Sequence, residues 1–315
     1  MPILVIADDA AGLAAYLAPT LPGERLLAAC DDSAVAAGLA AAPRAVFAIR
    51  TGAIGADACE RALQAPSVRF WQTGGSGYEW MGRWDPTRLT AANAVGVLAP
   101  HLADTTLGAI VALNNGLVRY RDRQQRRDWS PRAFRALGGQ RLLIVGAGAI
   151  GRAVAPRARA LGLHVTGLTR RGHPLPGFDA VRPLSELDRA LGAADIVSCH
   201  LRLTPETTGL FDTARFAAMV PGALFLNSAR GRIVDEAALL QALAGGHLGG
   251  AWLDVFETEP LPPASALWTA PGLLITPHAA DMVDGWDRRF ADLFVRNLAR
   301  FDRGEPVLNP IFPPG

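Results

Sequence analysis

The chain has 315 residues, half of them apolar, which is enough for two domains with sizeable cores. Its formal net charge of +2 argues against a nucleic-acid partner held by a basic surface. The sequence contains no lysine, so Schiff-base lysine chemistry and the lysine-bearing phosphate loop are both excluded.

No apolar run reaches the roughly 18–20 residues needed to cross a bilayer, so no membrane partner is expected. The opening "MPILVIADD" has no basic stretch followed by a long apolar one, and no signal peptide is expected. Cys30, Cys59 and Cys199 are widely spaced and odd in number, and they form neither a disulfide framework nor a metal-ligand pattern. The expectation is a cytoplasmic protein without a bound metal.

In chain order, "PILVIA" (2–7), "AVFAI" (45–49) and "VRFWQT" (68–73) predict short buried strands, with alanine-rich helices between them. A long helix is predicted from about His101 to Arg119, followed by a connection at "RRDWSPRAF". The arginines between Arg119 and Arg135 alternate with Asp122, Asp128 and Pro131, as on a solvated helix face and loop. A second series of strands follows: "RLLIV", "HVTGL", "DIVSC", "ALFLNSA", "AWLDVF" and "LLITP". Helices are predicted at 150–161, 213–219 and 236–243, with a final amphipathic helix over about 284–303. This alternation predicts an α/β chain with doubly wound parallel sheets.

The stretch "LLIVGAGAIG" reads as a strand, a glycine turn and a helix start. Gly146 allows the turn, Gly148 lets a pyrophosphate approach, and Gly151 lets the helix pack on the sheet. Ala149 and Ile150 open the helix, whose free N–H groups face phosphates. NAD-binding turns of this kind place an acid about 20 residues on, to hold the ribose hydroxyls. Here the next strand ends in Thr169, Arg170 and Arg171. A guanidinium fork suits a 2′-phosphate, so NADP(H) is expected in preference to NAD(H), with NAD(H) possible. Three later strand ends carry Arg230, the acids Asp254, Glu257 and Glu259, and His278. Such groups beside a dinucleotide at the carboxyl edge of a sheet suit hydride chemistry on a small carboxylate.

These residues resemble the D-isomer-specific 2-hydroxyacid dehydrogenase family. The resemblance runs through "VRFWQTGGSGYEW", "AANAVGVLAPHLAD", the glycine loop, "ADIVSCHLRLTPETTGL", "LFLNSARGRIVDEAAL", "LDVFETEPLP", "ITPH" and "FDRGEPVLNPI". It implies two Rossmann-like domains with a cleft between them. A flavodoxin-like substrate domain would comprise residues 1–100 and 282–315, and an NAD(P)-binding Rossmann domain residues 101–281. The resemblance implies reduction of a 2-oxo acid to a D-2-hydroxy acid, in the pattern of NADPH-dependent glyoxylate and hydroxypyruvate reductases. Arg230 would bind the substrate, His278 would act as acid or base, and Glu259 would hydrogen-bond His278 and favour its protonated form. Gly75, Ser76 and Gly77 would present N–H groups to the substrate carboxylate. Leu201, Ser228, Ala229, Arg230, Asp254 and His278 would line the cofactor, and a homodimer would form through the long helix. Two departures stand out: Arg202 replaces a frequent proline, and Ala279, Ala280 and Asp281 stand where glycine is frequent soon after the histidine.

Phe70, Trp71, Tyr78, Trp80, Trp84 and Trp286 leave two readings open, a pocket for a larger acid or core packing. A nucleotide-sensing protein without turnover, and a formate- or phosphite-type dehydrogenase on the same frame, are the alternative functions.

Overall fold

The computed structural model describes residues 1–49 and 54–313, apart from the Glu79 side chain. The chain divides into two compact units, Met1–Leu98 with Val283–Gly315, and Ala99–Met282. Both are α/β units, as the alternation of predicted elements requires.

The first unit opens with β1 (Ile3–Ile6), α1 (Ala10–Leu17), β2 (Leu26–Ala29), α2 (Asp32–Ala40), β3 (Ala45–Ala48), α3 (Ala56–Gln64), β4 (Phe70–Thr73) and β5 (Thr90–Ala92). The second unit runs through α4 (Ala99–Asn114), α5 (Leu117–Gln125), β6 (Arg141–Val145), α6 (Ala149–Ala160), β7 (His164–Thr169), β8 (Ala180–Pro183) and α7 (Leu187–Leu191). It continues with β9 (Ile196–Cys199), α8 (Thr213–Ala218), β10 (Leu224–Asn227), α9 (Glu236–Ala244), β11 (Gly250–Leu253) and β12 (Leu273–Ile275). The chain then returns to the first unit through α10 (Trp286–Asp302) and β13 (Pro310–Ile311).

Among the described residues the first unit's sheet has the order β13-β5-β4-β3-β1-β2. Its strands are parallel except for β13, which pairs antiparallel with β5 at the edge. Apart from β13, this is the 2-1-3-4-5 order of flavodoxin-like sheets. Strands β1, β3 and β4 are buried along their whole length, so they read as continuous apolar runs rather than alternating ones. The apolar face of α10 covers the sheet, with Phe294 stacked on Phe47 and on Phe70 at centroid distances of 5.2 and 6.0 Å. Buried Asn297 ties that helix to Gln72 and to the Leu308 backbone, which brings β13 to the sheet edge.

The second unit's sheet has the order β12-β11-β10-β9-β6-β7-β8, all parallel. Strand order reverses between β6 and β9, the switch point where open α/β sheets place their ligands.

The predicted helix from His101 to Arg119 is two helices. Asn114, Asn115 and Gly116 interrupt it, and Gly116 takes φ +70°, a left-handed conformation that ends α4 and starts α5. Strands β2, β5, β8 and β13 were not predicted. Three of them have partly exposed or alanine-rich sequences, and β13 has only two residues. Phe70, Trp71 and Trp84 belong to the first unit's core, with Trp71 fully buried, so packing is their role.

Candidate active site

The carboxyl edge of the second sheet carries one row of residues set by strand register. Pairing of Val145 with Cys199, Cys199 with Asn227, and Asn227 with Leu253 places Gly146, His200, Ser228 and Asp254 next in line at four adjacent strand ends.

At the first of these ends the glycines have separate steric duties. Gly146 has φ +102°, and a Cβ there would lie 2.6 Å from the His200 carbonyl oxygen. A Cβ on Gly151 would lie 2.7 Å from the Gly146 carbonyl oxygen and 2.8 Å from the Ile144 side chain, so the helix approaches the strand this closely only with glycine. Gly148 faces open space, with nothing within 4 Å of a built Cβ. Aspartates cap α1, α2, α8 and α9, whereas α6 begins at Gly148 with no side-chain cap. Exposed Ala149 and half-buried Ile150 form its first turn. The helix thus offers uncapped N–H groups and its positive end to an anion.

Strand β7 ends at Thr169, whose hydroxyl accepts a hydrogen bond from the Gly172 N–H at 2.9 Å and keeps its own proton available. Arg170 and Arg171 are exposed, and among the described residues neither guanidinium is engaged in a hydrogen bond or ion pair. Glu206 is held below the usual carboxylate range chiefly by the Thr204 hydroxyl, with Arg170 adding a smaller pull.

His200 and Leu201 follow β9. The His200 Nε2 lies 2.9 Å from the Ser198 hydroxyl, while its buried Nδ1 has no partner among the described residues. Burial drives this imidazole down to about 4, so it is neutral near pH 7. Leu201 is half-buried and packs on the unit's core. After β10 the buried Ser228 hydroxyl also has no partner among the described residues. Two buried polar atoms left open on one row, beside uncapped helix N–H groups, fit a bound dinucleotide that brings its own polar groups.

The turn after Ser228 is braced from below. Buried Asn227 accepts from the Ala229 N–H at 3.1 Å and donates to the Arg230 carbonyl at 3.1 Å. The half-buried Arg230 side chain donates to the Ala229 carbonyl at 2.7 Å. Gly231 comes next, and a Cβ there would lie 1.9 Å from the Phe256 carbonyl carbon. Close contact at Gly231 therefore fixes the turn carrying Arg230 against the segment that leads to Glu259. Neither Asn227 nor Gly231 is marked by spacing in the sequence; both become visible only when two strand ends meet.

Asp254 is 2% exposed, and its carboxylate accepts bonds from the Thr276 hydroxyl at 2.5 Å, the Ala279 N–H at 2.9 Å and the Ala280 N–H at 3.1 Å. Its carbonyl accepts from the His278 N–H at 2.8 Å. These bonds hold His278 at φ +50°, a strained backbone for a residue with a side chain. The His278 Nδ1 then meets Glu259 Oε2 at 2.7 Å, while Glu259 Oε1 accepts from the Phe256 N–H at 2.9 Å. Glu257 donates its N–H to Glu236 instead, so geometry separates the two acids. A histidine with Nδ1 fixed by a carboxylate presents Nε2 as a proton donor or acceptor.

Gly75, Ser76 and Gly77 lie in the first unit, in a turn after β4. Gly75 has φ +89°, and its carbonyl accepts from the Ala94 N–H at 2.7 Å. Asn93 donates to the Ser76 carbonyl at 2.8 Å and Trp80 to the Gly77 carbonyl at 3.3 Å. The N–H groups of these three residues form no hydrogen bond among the described residues.

At the opposite, amino edge of the second sheet is a cavity of about 500 Å³, lined by Arg119, Arg132, Arg135 and Asp195 among others. None of the candidate site residues lines it. Among the described residues no group of three or more metal-ligating side chains is assembled, and no helix is long and apolar enough to cross a membrane.

With this geometry in place, comparison with known proteins settles the family. Residues 107–280 match the D-isomer specific 2-hydroxyacid dehydrogenase, NAD binding domain. A glyoxylate reductase of Korarchaeum cryptofilum is 31% identical over 259 residues, 76% of this chain and 75% of that protein. The crystal structure of a D-isomer specific 2-hydroxyacid dehydrogenase family protein from Aeromonas salmonicida superposes with a TM-score of 0.86 at 34% identity, covering 98% of each chain. A D-isomer specific 2-hydroxyacid dehydrogenase from Xanthobacter autotrophicus Py2, crystallised with NADPH and MES, gives a TM-score of 0.81 at 27% identity over 98% of each chain. The chain belongs to the D-isomer specific 2-hydroxyacid dehydrogenase family and is an NAD(P)-dependent oxidoreductase.

Proposed function

We propose that this oxidoreductase uses NADPH in preference to NADH to reduce small 2-oxo acids of the glyoxylate and hydroxypyruvate type to D-2-hydroxy acids. The observation that carries the reading is the 2.7 Å bond between His278 Nδ1 and Glu259 Oε2, formed beside the braced turn of Arg230.

The nicotinamide, when bound, supplies the hydride. Gly146, Gly148, Ala149, Ile150 and Gly151 would hold the pyrophosphate. Ser228, Ala229 and Asp254 would line the nicotinamide end, the loop at Leu201 would pass over the cofactor, and Thr169, Arg170 and Arg171 would hold a 2′-phosphate. Arg230 binds the substrate carboxylate and polarises the C2 carbonyl. His278 donates a proton from Nε2 to the oxygen that gains negative charge, and Glu259 stabilises the imidazolium before that donation. In the reverse direction His278 takes the proton back. Gly75, Ser76 and Gly77 are assigned to substrate-carboxylate binding, supported by the open N–H groups of their turn. Residues 101–281 would be the nucleotide domain, and 1–100 with 282–315 the substrate domain. A cytoplasmic homodimer completes the proposal. The free thiols of Cys30, Cys59 and Cys199 suit a reducing compartment. Exposed Trp129 and Phe134, on the irregular segment after α5, suit a protein interface.

The test is loss of nicotinamide absorbance with NADPH or NADH and a panel of glyoxylate, hydroxypyruvate, formate and phosphite. Oxidation of NADPH by the 2-oxo acids is expected. Turnover of formate or phosphite alone, or tight nucleotide binding with no turnover, would replace this reading by one of its alternatives. Light scattering on the intact protein checks the dimer.

A further inference from the structure

Trp252 and Thr276 have no task in the mechanism above, yet a short chain of hydrogen bonds joins them to the turn that carries His278. Pairing of Leu253 with Ile275 sets Asp254 and Thr276 side by side at the ends of β11 and β12. The Thr276 hydroxyl lies between two partners, 2.9 Å from the Trp252 Nε1 and 2.5 Å from Asp254 Oδ1. An indole N–H can only donate, so the hydroxyl oxygen accepts from Trp252 and its own proton points to Asp254. Trp252 is 1% exposed and packed in the core beneath α4 and α6, so a rigid side chain sets the direction of the chain of bonds. The other donors to the Asp254 carboxylate, the Ala279 and Ala280 N–H groups, belong to the same turn as His278. They move with that turn and cannot by themselves fix its place. The Thr276 hydroxyl instead ties the carboxylate to the two strands.

We propose that Thr276, oriented by Trp252, is a positioning residue for proton transfer: it locks the Asp254 carboxylate that holds His278 in its left-handed backbone, and so keeps Nδ1 on Glu259. The inference rests on the reading that His278 is the acid, and it adds two residues to that machinery. His278 is bonded through its N–H to the Asp254 carbonyl on one side, and the residues after it are bonded to the Asp254 carboxylate on the other. Both holds are needed to keep a residue with a side chain at φ +50°. The 2.7 Å bond to Glu259 is made from that backbone. An Asp254 carboxylate free to rotate would let the turn relax and carry the imidazole away from Glu259.

The experiment compares the full-length wild type with Thr276→Val, which keeps the branched shape and removes the hydroxyl, and Thr276→Ser, which keeps the hydroxyl. With NADPH and glyoxylate, kcat should fall about tenfold to a hundredfold in Thr276→Val, as for an acid displaced by a fraction of an ångström. The glyoxylate KM should change by less than about threefold, and Thr276→Ser should keep kcat within about threefold of wild type. Placed in a His278→Ala background, Thr276→Val should lower kcat by less than about twofold, because nothing is left for it to position. An equal fall in both backgrounds, or an unchanged kcat in Thr276→Val, overturns the proposal. Should Thr276→Val fail to fold, Trp252→Phe carries the same comparisons, with a fall in kcat of about threefold or more expected. If the wild type reduces no 2-oxo acid, the proposed function fails, and crystal structures of the variants decide the role of Thr276 without turnover. In Thr276→Val, His278 should leave its left-handed backbone and its bond to Glu259 should break, whereas Thr276→Ser should keep both. An unmoved His278 in Thr276→Val overturns the proposal.

Discussion

His200 makes the second unit sensitive to mild acid, in an amount the structure allows to be worked out. Its imidazole titrates at about 4 in the folded protein, against about 6.5 in an unfolded chain. The folded value is depressed, so the associated stability is fully present above pH 6.5 and is lost as the pH falls toward 4. Between pH 8 and pH 5 the unfolded state takes up almost a full proton that the folded state refuses, a loss of about 2 kcal/mol. The cause is local: the ring is buried, and among the described residues Nδ1 has no partner and the Nε2 neighbour is the Ser198 hydroxyl, not an anion. Urea unfolding of wild type and His200→Asn at the two pH values isolates the effect, because the two proteins differ only at this side chain. The wild type should lose about 2 kcal/mol more than the variant over this interval. Equal pH dependence in the two proteins would show that His200 is protonated in the folded state and that the argument is wrong.

Four further outcomes concern the two edges of the second sheet. His278→Ala should lower kcat by roughly two to four powers of ten, the usual loss when a general acid is removed, read in steady-state kinetics with glyoxylate. Arg170→Asp should move the NADPH/NADH ratio of kcat/KM toward NADH by about tenfold or more, through loss of a guanidinium–phosphate contact and gain of repulsion; an unmoved ratio would place the 2′-phosphate elsewhere. Gly231→Ala should displace Arg230 and raise substrate KM strongly, because the added Cβ meets backbone at 1.9 Å, not a flexible side chain that could yield. Asp195 is pushed up by burial but pulled down to about 2 by the Arg141 side chain and N–H and by Arg135. It therefore supports the fold above pH 3.8 and loses about 2 kcal/mol as pH falls toward 2; Asp195→Asn should flatten that acid limb in urea titrations.

Most of the architecture was readable because buried parallel strands announce themselves as short apolar runs. β1, β3, β4, β6 and β9 are of this kind. β2 and β8 are not, since their partly exposed positions dilute the apolar signal. The break at Gly116 was missed for a different reason: the apolar pattern of α4 runs up to it, and only the left-handed backbone shows the stop. At the site, the glycine loop was legible because each glycine answers a local steric demand within ten residues. Glu259 stands 19 residues from its partner His278. Its choice over Glu257 depended on which side chain points back across the strand ends, and spacing alone does not encode that. His200, Asn227 and Gly231 were not singled out at all. Their roles arise from contacts between β6, β9, β10 and the segment after β11, which no single stretch of sequence contains.

The two halves of the edge are built differently, and their chemistry explains why. Proton transfer needs Nε2 of His278 placed within tenths of an ångström, so the residue is clamped by Asp254 through the backbone on both sides and by Glu259 at Nδ1. Recognition of a phosphate by guanidinium forks tolerates looser placement, and Arg170 and Arg171 stand exposed, with no fixed partner among the described residues. Changes at the clamped end should therefore fall mainly on kcat, and changes at the loose end mainly on the cofactor KM. A double variant combining Arg170→Asp with Glu259→Gln tests this division. The two effects should add in free energy, because the sites share no bonded partner. Marked non-additivity would mean that the adenine end and the proton-transfer end are mechanically coupled through the strand-end row of Gly146, His200, Ser228 and Asp254.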